Sequence, residues 1–294
     1  MGQNLSAMAR EQFRAIPKIL IRAMPQNLKS KIVSNYIRHI TLKKYDVVHA
    51  LAKYYNYHSY LEICTATTGN YFHKIDRSKF KRSFRLMYNC PADFDDGLPI
   101  DYRHSSFDIS SSIKTIRDNK LSIDVCLVDG WHTYDNAFRD LEFAYDLLAD
   151  GGALVVHDCL PPSLELASPN FMPGLWCGVS YKAYVDFLLK NMLSDYFTVD
   201  TDYGCGIIYK KRPQPYAGEH QHWASTKNHI REQLTKADGN YDKIYQLITE
   251  NKIQLLNLIS VNQFLENFVD SVDLTLLRKI ILWLSPPALT RLNY

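Results

Sequence analysis

SIDVCLVDGWHTYDNAFRDLEFAYDLLADGGALVVHDCLPP, residues 122–162, decides how this chain is read. Residues 123–128 and 153–156 are near-continuous apolar runs, the pattern of strands covered on both faces. Between them, residues 134–148 have a helical period. Ala137, Leu141, Ala144 and Leu148 share one face, and Gly151-Gly152 closes the helix. A strand, a crossover helix and a second strand make a parallel βαβ unit. Each strand ends in chemistry: Asp129-Gly130-Trp131-His132 after the first, His157-Asp158-Cys159 after the second. Ligands of open α/β sheets bind outside the carboxyl ends of the strands, so these two ends mark a candidate site.

The alternation continues outward. Residues 60–64 form a short apolar strand that runs into a loop of small residues ending at Gly69, with a helix expected over 71–75. Residues 84–88 read as a second strand, 103–107 as a third, and 179–193 as a helix. Residues 197–200 and 206–210 read as an antiparallel pair around Asp202-Tyr203-Gly204. The expected core is therefore a mostly parallel α/β sheet closed by a hairpin, over residues 57–211. Residues 1–56 form a helical extension, broken at Pro25. Residues 212–294 enter through Pro213 and Pro215 and are helical, without strand alternation.

Composition narrows the classes. An apolar share of 46% in 294 residues builds a full core, and a net charge of +3 is too mild to argue for nucleic acid. The basic residues before position 50 could meet a membrane, but packing on the domain or on a second copy of the chain is the preferred reading. Cys64, Cys90, Cys126, Cys159, Cys177 and Cys205 contain no CxxC pair, which argues against a disulfide framework or a zinc site. His220 and His222 match no compact metal pattern. With no leader and no run of ~18 apolar residues, a soluble cytoplasmic protein is expected.

Asp129 and Asp158 follow their strands closely, where carboxylates reach a ligand or a hard cation such as Mg²⁺, with His157 completing the set. Capping of the next helix and turn accounts for the two acids equally well. His132, at the helix entrance, has the residue type to take a proton from a hydroxyl near neutral pH. The small-residue loop from Glu62 to Gly69 presents backbone N–H groups to a ligand, or is an ordinary βα turn.

LEICTATTGNYF (61–72), the stretch from Asp129 to Pro162, WCGVSYKA (176–183) and VDTDYGCGII (199–208) together resemble class I S-adenosylmethionine-dependent methyltransferases. The similarity is to the bacterial group with a DG-x-H-x-Y loop and a strand ending in HD. It implies a Rossmann-like, doubly wound fold and O-methylation of a small-molecule, sugar or glycan-like hydroxyl. It also implies that Glu62, Cys64, Thr65 and Gly69 hold the methionine part of the cofactor, with Glu62 near its ammonium. Asn89 would face the ribose, Asp108 or its neighbour Ser106 the adenine, and Asp129, Trp131 and His132 the junction with substrate. Asp129 and His132 would be catalytic, and Asp129, His157 and Asp158 would hold a divalent metal, Mg²⁺. The family has glycine where Cys64 stands and an acid where Asn89 stands. That departure motivates a second expectation, a methyltransferase-like module that binds partners without catalysis. The helical ends leave three roles open: capping the sheet, forming a homo-oligomer interface or holding a partner.

Overall fold

A computed structural model describes residues 42–66, 72–191, 195–213, 215 and 224–269. Gly69, His220, His222 and the helical runs expected before residue 41 and after residue 269 lie outside them. The chain divides into two compact units, Lys44–Val261 on the one hand and Met1–Lys43 with Asn262–Tyr294 on the other.

The first half of the larger unit runs α1 (Lys44–Tyr55), β1 (Ser59–Thr65), β2 (Arg82–Tyr88), β3 (Tyr102–Arg103), α2 (Ser110–Asp118), β4 (Ile123–Asp129), α3 (Tyr134–Leu147) and β5 (Leu148–Val156). It continues through α4 (Ser180–Lys190), β6 (Tyr196–Val199), β7 (Cys205–Tyr209), α5 (Ala224–Lys236), α6 (Tyr241–Glu250), α7 (Lys252–Leu256) and β8 (Leu258–Ile259). α8 (Val261–Phe268) falls almost wholly in the other unit, where the rings of Phe264 and Phe268 lie 4.8 Å apart.

Among the described residues the strands form one eight-stranded sheet in the order β3-β2-β1-β4-β5-β7-β6-β8. β3, β2, β1, β4 and β5 are parallel, and β7 runs antiparallel to both β5 and β6. This is the mostly parallel sheet closed by a hairpin that the periodicity predicts. β1 is buried along its whole length and β4 nearly so, as both-face coverage requires. Leu61 and Ile63 of β1, Cys126 and Val128 of β4, and Leu154 and Val156 of β5 share a core with Leu141, Ala144 and Leu147 of α3. Alternation sends Tyr60, Glu62 and Cys64 to the opposite face. There α1 packs beside β4 and β5, burying Val47, Val48, Leu51 and Ala52.

Several expected elements differ. α3 stops at Leu147, and Leu148 already belongs to β5. The Lys210 ammonium lies at that junction and donates to the carbonyls of Tyr145, Asp146 and Leu148 at 3.1, 3.0 and 2.9 Å, so the helix needs no glycine cap. Gly151, with φ +83°, and Gly152 instead carry the chain beside β7. A Cβ on Gly152 would stand 2.8 Å from the Asp124 carbonyl oxygen. The helix expected at 71–75 is one 3₁₀ turn, Phe72–Lys74, and the third strand shrinks to two residues. α2 is unannounced in the sequence, because SSSIKTIRD offers only Ile113 and Ile116 as apolar residues. β8 is a strand in a segment read as helical. Asn257, in the left-handed region at φ +46°, donates its amide to the Tyr196 carbonyl at 2.9 Å and sets Leu258–Ile259 alongside β6. No helix among the described residues is long and apolar enough to cross a membrane.

Replacing Lys210 by Met should remove the three carbonyl contacts at the end of α3 and lower stability by about 1–2 kcal/mol. Urea unfolding followed by far-UV circular dichroism checks this, and an unchanged midpoint would refute the capping role.

Candidate functional site

Four elements converge at the carboxyl end of the sheet. Asp129 closes β4 at the level of Cys64 on β1. His132 follows at the entrance to α3, His157 and Asp158 follow β5, and Asp202 comes from the β6–β7 turn. The loop after β5 is tied to that turn by Cys159 N–H to the Gly204 carbonyl at 3.0 Å and Leu160 N–H to the Tyr203 carbonyl at 2.7 Å. Asp158 and Asp202 both adopt positive φ, +59° and +47°, an uncommon conformation for residues with a Cβ that tertiary contacts must hold.

The side chains interlock. His132 Nε2 lies 3.4 Å from Asp129 Oδ1 and 3.3 Å from Asp158 Oδ2. His157 Nδ1 lies 3.2 Å from Asp129 Oδ1 and 3.3 Å from Asp158 Oδ1, and its Nε2 lies 3.3 Å from Asp202 Oδ2. The other oxygen of Asp129 accepts from the Lys44 ammonium, and Asp202 Oδ2 accepts the Lys44 backbone N–H at 3.0 Å. Lys44 stands at the first turn of α1 and its side chain is only 8% exposed. The Cys177 thiol is buried beside this ring, and burial and the nearby Asp158 carboxylate push it up.

Burial disfavours every charge here, and the partners outweigh it. Burial would raise the Asp129 carboxyl, but Lys44 and His157 hold it well below the usual carboxylate range. Burial would lower both imidazoles, but Asp158 and Asp129 raise His132, and raise His157 further. Burial likewise works against the Lys44 ammonium, and Asp129, Asp158 and Asp202 reverse it. Three aspartates are thus balanced by an ammonium and by imidazoles that favour their protonated form.

That balance bears on a metal. The ligand atoms of Asp129, His132 and Asp158 lie within 4.8 Å of one another, with His132 rather than His157 in the convergent set. An ion there would have to displace the His132 proton and stand against a buried ammonium. Two unit charges 4 Å apart interact by ~4 kcal/mol at an effective dielectric of about 20, and the ion carries two. The donors converge, but with Lys44 in place the arrangement does not fit a divalent cation.

A second layer orients the loop after β4. The Tyr88 hydroxyl donates to the buried Asp140 at 2.6 Å and accepts the Trp131 N–H at 2.5 Å. Gly130 sits against both groups, and a Cβ there would collide with them. His132 Nδ1 lies 2.7 Å from the Trp176 carbonyl, so that nitrogen carries a proton and Nε2 faces the acids. Val179 N–H reaches the His132 carbonyl at 2.8 Å, past Gly178, whose φ of +56° leaves no room for a Cβ. Beside this loop Trp131 stacks on Phe171 at 5.1 Å and meets Trp176 and Phe107 at 5.3 and 5.5 Å.

The remaining expected residues are spread around the rim. Glu62 is buried, accepts from the Tyr60 hydroxyl at 2.8 Å, and burial pushes its carboxyl up to about 7. Cys64 is fully buried and packs on Met87 and Cys90, and Thr65 is buried beside it. Asn89 ends β2 in the left-handed region at φ +48°. Asp108 is exposed and accepts from Ser110 N–H and Oγ at 2.8 and 2.5 Å at the start of α2, a role within the helix entrance. Lys44, Asp202 and Cys177 join the site without any local sequence signal, since none of them follows a parallel strand.

Residues 58–159 match the family model described as a methyltransferase domain. No curated protein matches the chain. Among solved structures, an O-methyltransferase from Bacillus cereus in complex with S-adenosylhomocysteine is 12% identical, with a TM-score of 0.40 over 70% of this chain and 97% of that one. An O-methyltransferase of tomaymycin synthesis from Streptomyces achromogenes, in complex with S-adenosylmethionine, is 14% identical, with a TM-score of 0.38 over 69% and 93%.

Tyr88→Phe should leave the buried Asp140 carboxylate and the Trp131 N–H short of a partner, at a cost of about 2–3 kcal/mol. Thermal unfolding monitored by tryptophan fluorescence reads both the stability and the Trp131 environment. A variant that melts with wild type and keeps its emission spectrum would exclude this network as the support of the loop.

Proposed function

We propose that this chain, whose residues 58–159 match a methyltransferase domain, uses S-adenosylmethionine to methylate a hydroxyl of a small sugar or glycan-like acceptor. The observation that carries the reading is the convergence of Asp129, His132, His157 and Asp158 at the ends of two adjacent parallel strands. Glu62, Cys64, Thr65 and Gly69 would hold the methionine part of the cofactor, Asn89 its ribose and Asp108 its adenine, with Trp131 at the junction with substrate. Glu62 fits that role: burial pushes its carboxyl up to about 7 against the pull of the Tyr60 hydroxyl, Lys44 and Arg85, so an incoming ammonium would favour its ionised form. The bound cofactor supplies an electrophilic methyl group.

The chain's own part is to orient the hydroxyl and receive its proton. His132 is fixed through Nδ1 on Trp176, so in the neutral imidazole, the form present above its raised pKa, Nε2 is the atom that takes the proton. Asp129 and Asp158 flank that nitrogen and stabilise the imidazolium that forms. The Trp131, Phe171 and Trp176 rings offer an apolar wall for the flat face of an acceptor. Mg²⁺, which the sequence resemblance brings with it, has no step in this reading.

Calorimetry with S-adenosylmethionine and S-adenosylhomocysteine should give binding, and no heat with either at high micromolar concentration would leave a non-catalytic module as the reading. The ammonium requires ionised Glu62, so one proton must leave on binding below pH 7. Affinity should therefore weaken roughly 15-fold from pH 7 to pH 5.5, and Glu62→Gln should flatten that dependence. A second outcome concerns the base. His132→Ala should lower kcat by about 10²–10⁴ while leaving S-adenosylhomocysteine affinity near wild type. Equal loss of both would make His132 a structural residue.

A further inference from the structure

We infer that Lys44 is the built-in cation of this site and takes the place that a divalent metal would hold, so that the site works without metal. The inference concerns the site proposed above, but its test reads metal binding and stands apart from methyl transfer. Lys44 precedes the matched methyltransferase segment, 58–159, and belongs to the same compact unit. Two separate contacts place it. Its backbone N–H is held by Asp202 at 3.0 Å, which anchors the start of α1 on the β6–β7 turn. Its ammonium then reaches 85 positions along the chain to Asp129, and the two side chains are 8% and 4% exposed.

A lysine so placed does what a cation must do here. It neutralises a buried carboxylate at the end of β4, in a ring that also holds Asp158 and Asp202. Asp129 therefore has one oxygen on Lys44 and the other facing His132 and His157. An incoming ion would meet a fixed positive charge and an aspartate already engaged. Lys44 acts through Asp129 and is a positioning residue. Lys44 is also almost wholly buried, with its side chain 8% exposed.

The test uses the full chain and Mn²⁺ read by electron paramagnetic resonance of the free ion. Wild type should leave the free-ion signal essentially undiminished. Lys44→Met, confirmed as folded by circular dichroism, should bind one Mn²⁺ at least about tenfold more tightly, and adding Asp129→Asn should abolish that gain. Lys44→Arg, which keeps the charge, should behave as wild type. Tight Mn²⁺ binding by wild type that Asp129→Asn removes would overturn the inference, and that measurement needs no Lys44 variant to fold. A folded Lys44→Met that binds no Mn²⁺ would overturn it as well. Loss of S-adenosylmethionine binding with the Mn²⁺ pattern intact would instead count against the methyltransferase reading alone.

Discussion

The ion pair between Lys44 and Asp129 is the constraint on which the carboxyl end of the sheet depends. Removing two charges from water costs several kcal/mol each, and one contact does not return that cost unless the remaining lone pairs and protons are also satisfied. Here Asp129 is shared among Lys44, His132 and His157, while Asp202 takes the Lys44 backbone N–H. Deleting one partner would strand a charge in the core. The pair therefore makes α1 part of the domain, since the helix that carries the ammonium cannot leave without stranding Asp129.

Around that pair the backbone does most of the positioning. Asp158 and Asp202 sit in left-handed conformations, held by hydrogen bonds between the loop after β5 and the β6–β7 turn. His132 is fixed from both ends, by the Trp176 carbonyl at Nδ1 and by Val179 at its own carbonyl. The Tyr88–Asp140 pair, on the α3 side of the sheet, holds the Trp131 N–H. Side chains that must meet within 3–4 Å are thus carried by loops whose own conformations are cross-braced, which is how strand ends become a preorganised site.

How legible this was depended on the range of the interactions. β1, β2, β4 and β5 are visible as apolar runs because a buried parallel strand leaves few polar positions, and α3 shows its period because one face is solvated. The hairpin is visible through Asp202-Tyr203-Gly204, where Gly204 takes φ +88°. α2 escaped because its helicity rests on Asp108 and on two isoleucines rather than a full stripe. β8 escaped because a two-residue strand exists only through Asn257 and β6. Asp129, His132, His157 and Asp158 were found from their place after apolar runs. Lys44, in sequence, is one more basic residue in a charged leader.

The sequence by itself determined the parallel sheet, the crossover helix and the two acidic strand ends, because hydrophobic periodicity and strand-end position are local properties of the chain. Only the tertiary structure decided what neutralises those acids. Lys44 and Asp202 are 158 residues apart and each looks like an ordinary surface charge in its own segment. Their meaning comes from burial, which removes water as the competing partner and forces every charge at the strand ends to find its counterpart within the protein.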